Sequence, residues 1–212
     1  MAADLPVPAP TPRVAYVPPP PLYTWTGIYL GINGGYAFGT SSWSNPVFTT
    51  GNFNTNGWLV GGTLGGNYQI GQFVIGLEGD GDWTNINGTT NFDGCATFAG
   101  CKTSNDWLAT VRGRAGWAWD RTLFYATGGA AFGNIQANLG VNPVTTLSTQ
   151  TGWTAGAGIE GMFLPNWTAK IEYLYVNLGT ATCPVAVCTL SPPGSVPLTE
   201  NIVRAGINYK FW

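Results

Sequence analysis

The residues of this sequence with chemistry to offer are carboxylates spaced two apart. Glu78, Asp80 and Asp82 alternate with glycines, and Glu160 and Glu172 follow later in the chain. A pair of such carboxyls serves acid–base hydrolysis when one holds its proton and the other is ionised. The same chain carries Arg112, Arg114, Lys170, Arg204 and Lys210, and five acids beside five bases favour mutual pairing over a hydrolytic pair. The chain has no histidine, which excludes His-based triads and His metal sites. No Ser-His or Cys-His arrangement is left to activate a nucleophile. Asp80, Asp82 and Asp93 lack the calcium-loop spacing. The glycine doublets at 34–35, 61–62, 65–66 and 128–129 lack the Lys-Ser/Thr of a phosphate loop. No catalytic residue, cofactor or metal is therefore expected.

What positions these charges is a period of two. Eight alternating runs are expected to be strands, at residues 25–38, 57–70, 72–84, 105–119, 121–134, 151–163, 166–178 and 200–211. Tight turns at Gly71, Asp120 and Leu164-Pro165 alternate with long polar segments at 39–56, 85–104, 135–150 and 179–199. Along most strands the ten charges named above share one parity and large apolar residues share the other. The first and fifth strands are less clear, and the fifth, LFYATGGAAF, has no charge to mark a face.

Composition says what lies outside. Only 8% of residues are charged and 14% are aromatic, against about 25% charged in soluble domains. No run approaches the roughly 18 apolar residues of a membrane helix. The net charge of −2 and the lack of a basic stripe give no case for nucleic acid. On the apolar parity, Tyr68, Phe73, Trp117, Phe163, Trp167 and Tyr209 lie near the short turns. Tyr36, Trp58, Trp83, Trp107, Trp153 and Tyr175 lie near the long segments. Two aromatic belts around an aliphatic band suit a bilayer, and a closed barrel satisfies the backbone there. The expected fold is all-β: an eight-stranded antiparallel transmembrane barrel over 25–212, with charges in the lumen. Residues 1–24, dense in proline, are expected to form a flexible extended spacer. The start, Met1-Ala2-Ala3-Asp4, has no basic or apolar leader and reads as a mature chain whose signal peptide is gone. Cys95 with Cys101 and Cys183 with Cys188 are expected to staple two loops in an oxidising compartment.

The chain resembles the eight-stranded outer-membrane barrels of alphaproteobacteria, the outer-membrane immunogenic or porin family. The residues carrying the resemblance include WTGIYLGINGGYAFG (25–39), DWLATVRGRAGWAWD (106–120), YATGGAAFG (125–133), GWTAGAGIE (152–160), KIEYLYVNLG (170–179) and NIVRAGINYKFW (201–212). The resemblance implies a Gram-negative outer membrane, periplasmic termini, long extracellular antigenic loops, and lipid and lipopolysaccharide as surroundings. It implies a C-terminal signal at Tyr209, Phe211 and Trp212 for the barrel assembly machinery. It also implies a possible attachment of Ala3-Asp4 to peptidoglycan. The expected role is structural: envelope integrity and surface antigen, with the lumen plugged by its charges. The alternative is a small diffusion pore, in which the inward glycines Gly61, Gly65, Gly76, Gly116, Gly156 and Gly158 leave a water path.

Overall fold

The computed structural model describes residues 23–44, 49–90, 101–139, 145–183 and 194–211. The proline-rich segment with Ala3 and Asp4 lies outside the described residues, as do Cys95, Cys188 and Trp212. Eight strands follow one another: β1 (Gly27–Ser44), β2 (Thr49–Ile70), β3 (Phe73–Thr90), β4 (Cys101–Trp119), β5 (Thr122–Leu139), β6 (Thr145–Leu164), β7 (Trp167–Cys183) and β8 (Gly194–Lys210). Each pairs antiparallel with its neighbour, and β1 also pairs with β8, so the sheet closes on itself. The closing register runs from Tyr29↔Lys210 to Ser44↔Ser195.

Three two-residue connections, Gly71-Gln72, Asp120-Arg121 and Pro165-Asn166, join strands at one end. Asp120 takes a left-handed backbone, φ 53°, which Asp tolerates better than most side chains do. The strands run well past the expected limits at the other end. Most of 39–56, 85–104, 135–150 and 179–199 is strand rather than loop. Many Asn, Thr and Ser there face outward, while Ser41, Thr55, Ile86, Thr103, Ile135 and Leu198 are turned inward and buried. Polarity alone read as loop, but a strand in water needs only its ladder and one buried face.

Spacing on the outer face matches a bilayer. Trp58 and Tyr68, Phe73 and Trp83, Trp107 and Trp117, and Trp153 and Phe163 are each ten residues apart on β2, β3, β4 and β6. At ~3.4 Å per residue and ~45° of tilt, ten residues rise ~24 Å, close to the ~25 Å apolar band of such barrels. Between the belts the outward side chains are aliphatic and exposed, as with Ile32, Leu64, Leu77, Val111 and Ile171. The two unclear strands also alternate. Tyr29, Asn33 and Ala37 face inward on β1, and Leu123, Tyr125, Thr127 and Ala131 on β5.

Inward glycines make room for neighbouring side chains. A Cβ on Gly65 would sit 2.3 Å from the Tyr29 ring, and one on Gly158 would sit 2.5 Å from the Tyr125 hydroxyl. Two tyrosines thus fold into the barrel over two glycines. Gly158→Val is expected to lower unfolding free energy by about 1–3 kcal/mol through overpacking. Gly81→Ala, whose Cβ would meet nothing within 4 Å, is expected to change it little. Urea unfolding of the refolded proteins, followed by heat-modifiable gel mobility, measures both.

Candidate functional site

The middle of the lumen holds a continuous charge network. The pleat turns Glu78, Asp80 and Asp82 of β3 inward, facing Arg112 and Arg114 of β4, Glu160 of β6, Lys170 and Glu172 of β7, and Arg204 of β8, all buried. Arg112 is 1% exposed. Its guanidinium reaches Glu78 Oε1 at 2.5 Å, Asp80 Oδ2 at 2.7 Å and Glu172 Oε1 at 3.0 Å. Arg204 Nη2 reaches Asp80 Oδ1 at 2.8 Å and Glu172 Oε2 at 2.7 Å, and its Nη1 reaches Asp82 Oδ2 at 3.2 Å. Lys170 Nζ lies 2.9 Å from Glu78 Oε2. Arg114 donates to Glu160 Oε2 at 2.7 Å and to the Tyr29 hydroxyl at 2.9 Å. The same guanidinium covers the Tyr125 ring at 3.9 Å.

Hydroxyls and amides complete the carboxylates. Thr110 and Thr63 donate to Asp80 at 2.6 and 3.0 Å. Thr168 and Asn208 donate to Glu160 Oε1 at 2.5 and 2.8 Å. Tyr29 donates to Glu78 at 2.7 Å and Tyr125 to Glu172 at 3.1 Å. Such pairing offsets the cost of desolvating the ions, and within the network Asp82 Oδ1 and Arg114 Nε are left without a hydrogen-bond partner among the described residues.

One expected member is elsewhere. Lys210 does not join the network; its Nζ donates to the carbonyl of Thr24 at the short-turn mouth. Lying at the end of β8, it meets the incoming chain before it can reach the luminal carboxylates. The chain is stitched to that mouth further: Trp25 N–H donates to Gln69 Oε1 at 2.8 Å, and Arg121 lies over the Tyr23 ring at 4.2 Å.

Sequence reasoning missed the two apolar layers that bracket the charges. At the short-turn end Trp25, Val74, Ala118, Leu123, Tyr125 and Met162 cluster, with Tyr23 against them. At the long-loop end the cluster includes Leu59, Ile86, Leu108, Ile135, Leu174, Leu178, Leu198 and Ile202. Within the level of this outer layer sits Glu200, 1% exposed, with neither carboxyl oxygen partnered among the described residues. Its signal was available, because Glu200 shares the parity of Arg204.

The expected belt residues lie on the outer face. Trp83 is 72% exposed, Tyr36, Trp58, Tyr68, Phe73, Trp117, Trp153, Phe163, Trp167 and Tyr209 are also exposed, and Trp107 and Tyr175 are half-buried. Rings pair across strands as Phe73–Trp117 at 4.6 Å, Trp153–Tyr175 at 5.3 Å and Trp167–Tyr209 at 5.1 Å, and Phe211 meets Tyr209 at 5.2 Å. Cys101 opens β4 and Cys183 closes β7; both expected partners lie outside the described residues.

A closed antiparallel barrel, apolar outside between aromatic belts and charged within, defines a transmembrane β-barrel of outer-membrane type. The family model for the outer membrane protein beta-barrel domain matches residues 14–211, and the chain belongs to that family. It is 36% identical over 228 aligned residues to a 31 kDa outer-membrane immunogenic protein of Brucella melitensis, covering 100% of this chain and 93% of that relative. A 22 kDa outer membrane protein of Rhizobium leguminosarum bv. viciae is 30% identical over 205 residues, covering 92% and 82%. Among solved structures, the outer membrane protease OmpT of Escherichia coli aligns with a TM-score of 0.51 at 10% identity, over 91% of this chain and 99% of that one. OprG of Pseudomonas aeruginosa aligns at 0.50 and 10%, over 87% and 97%. At such identities these two show the fold alone.

Opposite stability changes are expected from two buried charges. Arg112→Ala removes the guanidinium shared by three buried carboxylates and is expected to cost about 3–5 kcal/mol. Glu200→Leu removes an unpartnered carboxyl from apolar surroundings and is expected to add about 1–3 kcal/mol. Urea unfolding in detergent measures both, and a stabilising Arg112→Ala contradicts the pairing.

Proposed function

We propose that this chain is a structural outer-membrane protein whose lumen is closed: a rigid, non-conducting barrel that serves envelope integrity and displays its long-loop end as a surface antigen. The observation that carries this reading is the filled lumen, in which a buried ion network lies between two apolar layers. Eight strands leave an interior about as wide as its own side chains. The diffusion-pore alternative needs the inward glycines to leave space, whereas Tyr29 and Tyr125 occupy that space at Gly65 and Gly158. An enzymatic reading lacks support for a related reason: Glu78, Asp80, Glu160 and Glu172 are each committed to arginine, lysine, hydroxyl or amide donors, and Asp82 and Glu200, whose oxygens are not all partnered, are buried inside the barrel away from solvent. The antigen role draws on the immunogenic relative, and the orientation, with termini in the periplasm and long loops outside, draws on the resemblance. Lipopolysaccharide and lipid would then surround the belts, and the assembly machinery would read Tyr209, Phe211 and Trp212.

The expected result in a planar lipid bilayer is silence, with folding checked by heat-modifiable mobility. Reproducible unitary steps that change with Arg112→Ala would instead establish a pore. For the N-terminus the proposed attachment follows cleavage before Ala3, which frees its amine to form an amide with a peptidoglycan carboxyl, with the proline-rich segment as spacer. Mass spectrometry of digested sacculi should find a muropeptide on Ala3; a free amine on all of the native protein refutes it.

A further inference from the structure

The chain enters this barrel across its mouth. β1 begins at Gly27, and residues 23–26 before it form no strand. Trp25 is nevertheless 2% exposed. It clusters with Val74 of β3, Ala118 of β4, Leu123 and Tyr125 of β5 and Met162 of β6. None of those strands pairs with β1, whose partners are β2 and β8. The indole therefore sits in the lumen, beside Tyr125, whose hydroxyl donates to Glu172 of the network at 3.1 Å. Tyr23 carries the crossing further. Arg121 lies over its ring at 4.2 Å, from the turn between β4 and β5 on the opposite side of the barrel from β1.

What holds this strap differs from what holds the barrel. Trp25 N–H donates to Gln69 Oε1 at 2.8 Å, Gln69 N–H donates to Thr26 Oγ1 at 3.0 Å, and Lys210 Nζ donates to the Thr24 carbonyl. Each of these bonds runs through a side chain, so none belongs to the ladder. The ion pairs of the network are made without residues 23–26. Trp25 Nε1 is buried with no partner among the described residues, so an indole that leaves the lumen gains a hydrogen bond to water. At the junction with β1, Gly27 takes φ 143°, a backbone open to glycine and rare for other residues. Opening the strap costs these few contacts and the burial of one indole, whereas opening the barrel costs a cooperative ladder.

We propose that residues 23–26 are a latch: a strap that closes the short-turn mouth with Trp25 as its plug and swings out about Gly27 while the eight strands stay paired. Closed, it seals the apolar layer at that end. Open, it exposes Val74, Leu123 and Met162 to the short-turn side and leaves the ion network in place. The inference deepens the closed-lumen reading, because it makes one end of the lumen reversible.

Cleavage by chymotrypsin after Trp25 reports the open latch, since the indole must leave the lumen to enter the protease. The refolded barrel in detergent is treated at urea concentrations below its unfolding transition, and the chain starting at Thr26 is followed by mass spectrometry. Wild type should be cut slowly, at a rate nearly flat in urea over that range, as local opening requires. Arg121→Ala and Gln69→Ala should each speed the cut about three- to tenfold, with heat-modifiable mobility and the urea midpoint of the barrel unmoved. Cleavage that appears only as the barrel unfolds overturns the proposal, because the strap then belongs to the same cooperative unit. Immediate complete cleavage of wild type overturns it too, because Trp25 then does not hold the mouth shut. So does a rate that neither variant changes. If Arg121→Ala does not refold, the wild-type urea series and Gln69→Ala decide. Bilayer conductance keeps the two readings apart: a silent barrel without local cleavage sinks the latch alone, and a conducting one sinks the closed lumen.

Discussion

Hydrocarbon offers no partner to a backbone N–H or C=O, and everything else in this protein follows from that. A strand crossing lipid must be paired on both sides, so the sheet has to close, and β1 meets β8 along almost its whole length. Closure with eight strands fixes a narrow lumen. A narrow lumen has to be packed, and the pleat sends every second side chain into it. What would be solvent-facing positions in a soluble sheet become a core.

That core is layered in an unusual order. Ions occupy the centre and clusters of apolar side chains flank them on both sides. The centre is the costliest place for charge, so each arginine there serves several acceptors at once: Arg112 spans three carboxylates from two strands. Tyrosines bring their hydroxyls to the same carboxylates and their rings to Arg114. The glycines opposite Tyr29 and Tyr125 make this filling sterically possible. The result is a crosslink between distant strands: Arg204 of β8 binds carboxylates of β3 on the far side of the ladder. Such contacts tie together strands that are not neighbours in the sheet.

How much of this was legible follows from period two. Alternation marked the eight strands, the outward aromatics and nine of the ten expected luminal charges, because the pleat makes parity a geometric statement. Lys210 shows where parity stops: it names the face but not the height along the strand, nor the Thr24 carbonyl that waits at the mouth. The long strand extensions were hidden because Asn, Thr and Ser are read as loop formers, although Ile86, Ile135 and Leu198 kept the inward period within them. Tyr29 and Tyr125 were hidden because aromatic residues were assigned to lipid, and β1 and β5 carry no charge to mark a face.

The sequence by itself therefore determined the class of the protein: closed barrel, lipid outside, charge inside. It could do so because membrane solvation and strand geometry act residue by residue, through composition and alternation. Only the tertiary structure decided which charges pair, that Glu200 is left without a partner among the described residues, and that apolar layers bracket the ions. Those depend on strand register and on depth along the barrel axis. They arise between residues 30 to more than 120 positions apart, such as Arg204 and Asp82, and no local pattern carries that information.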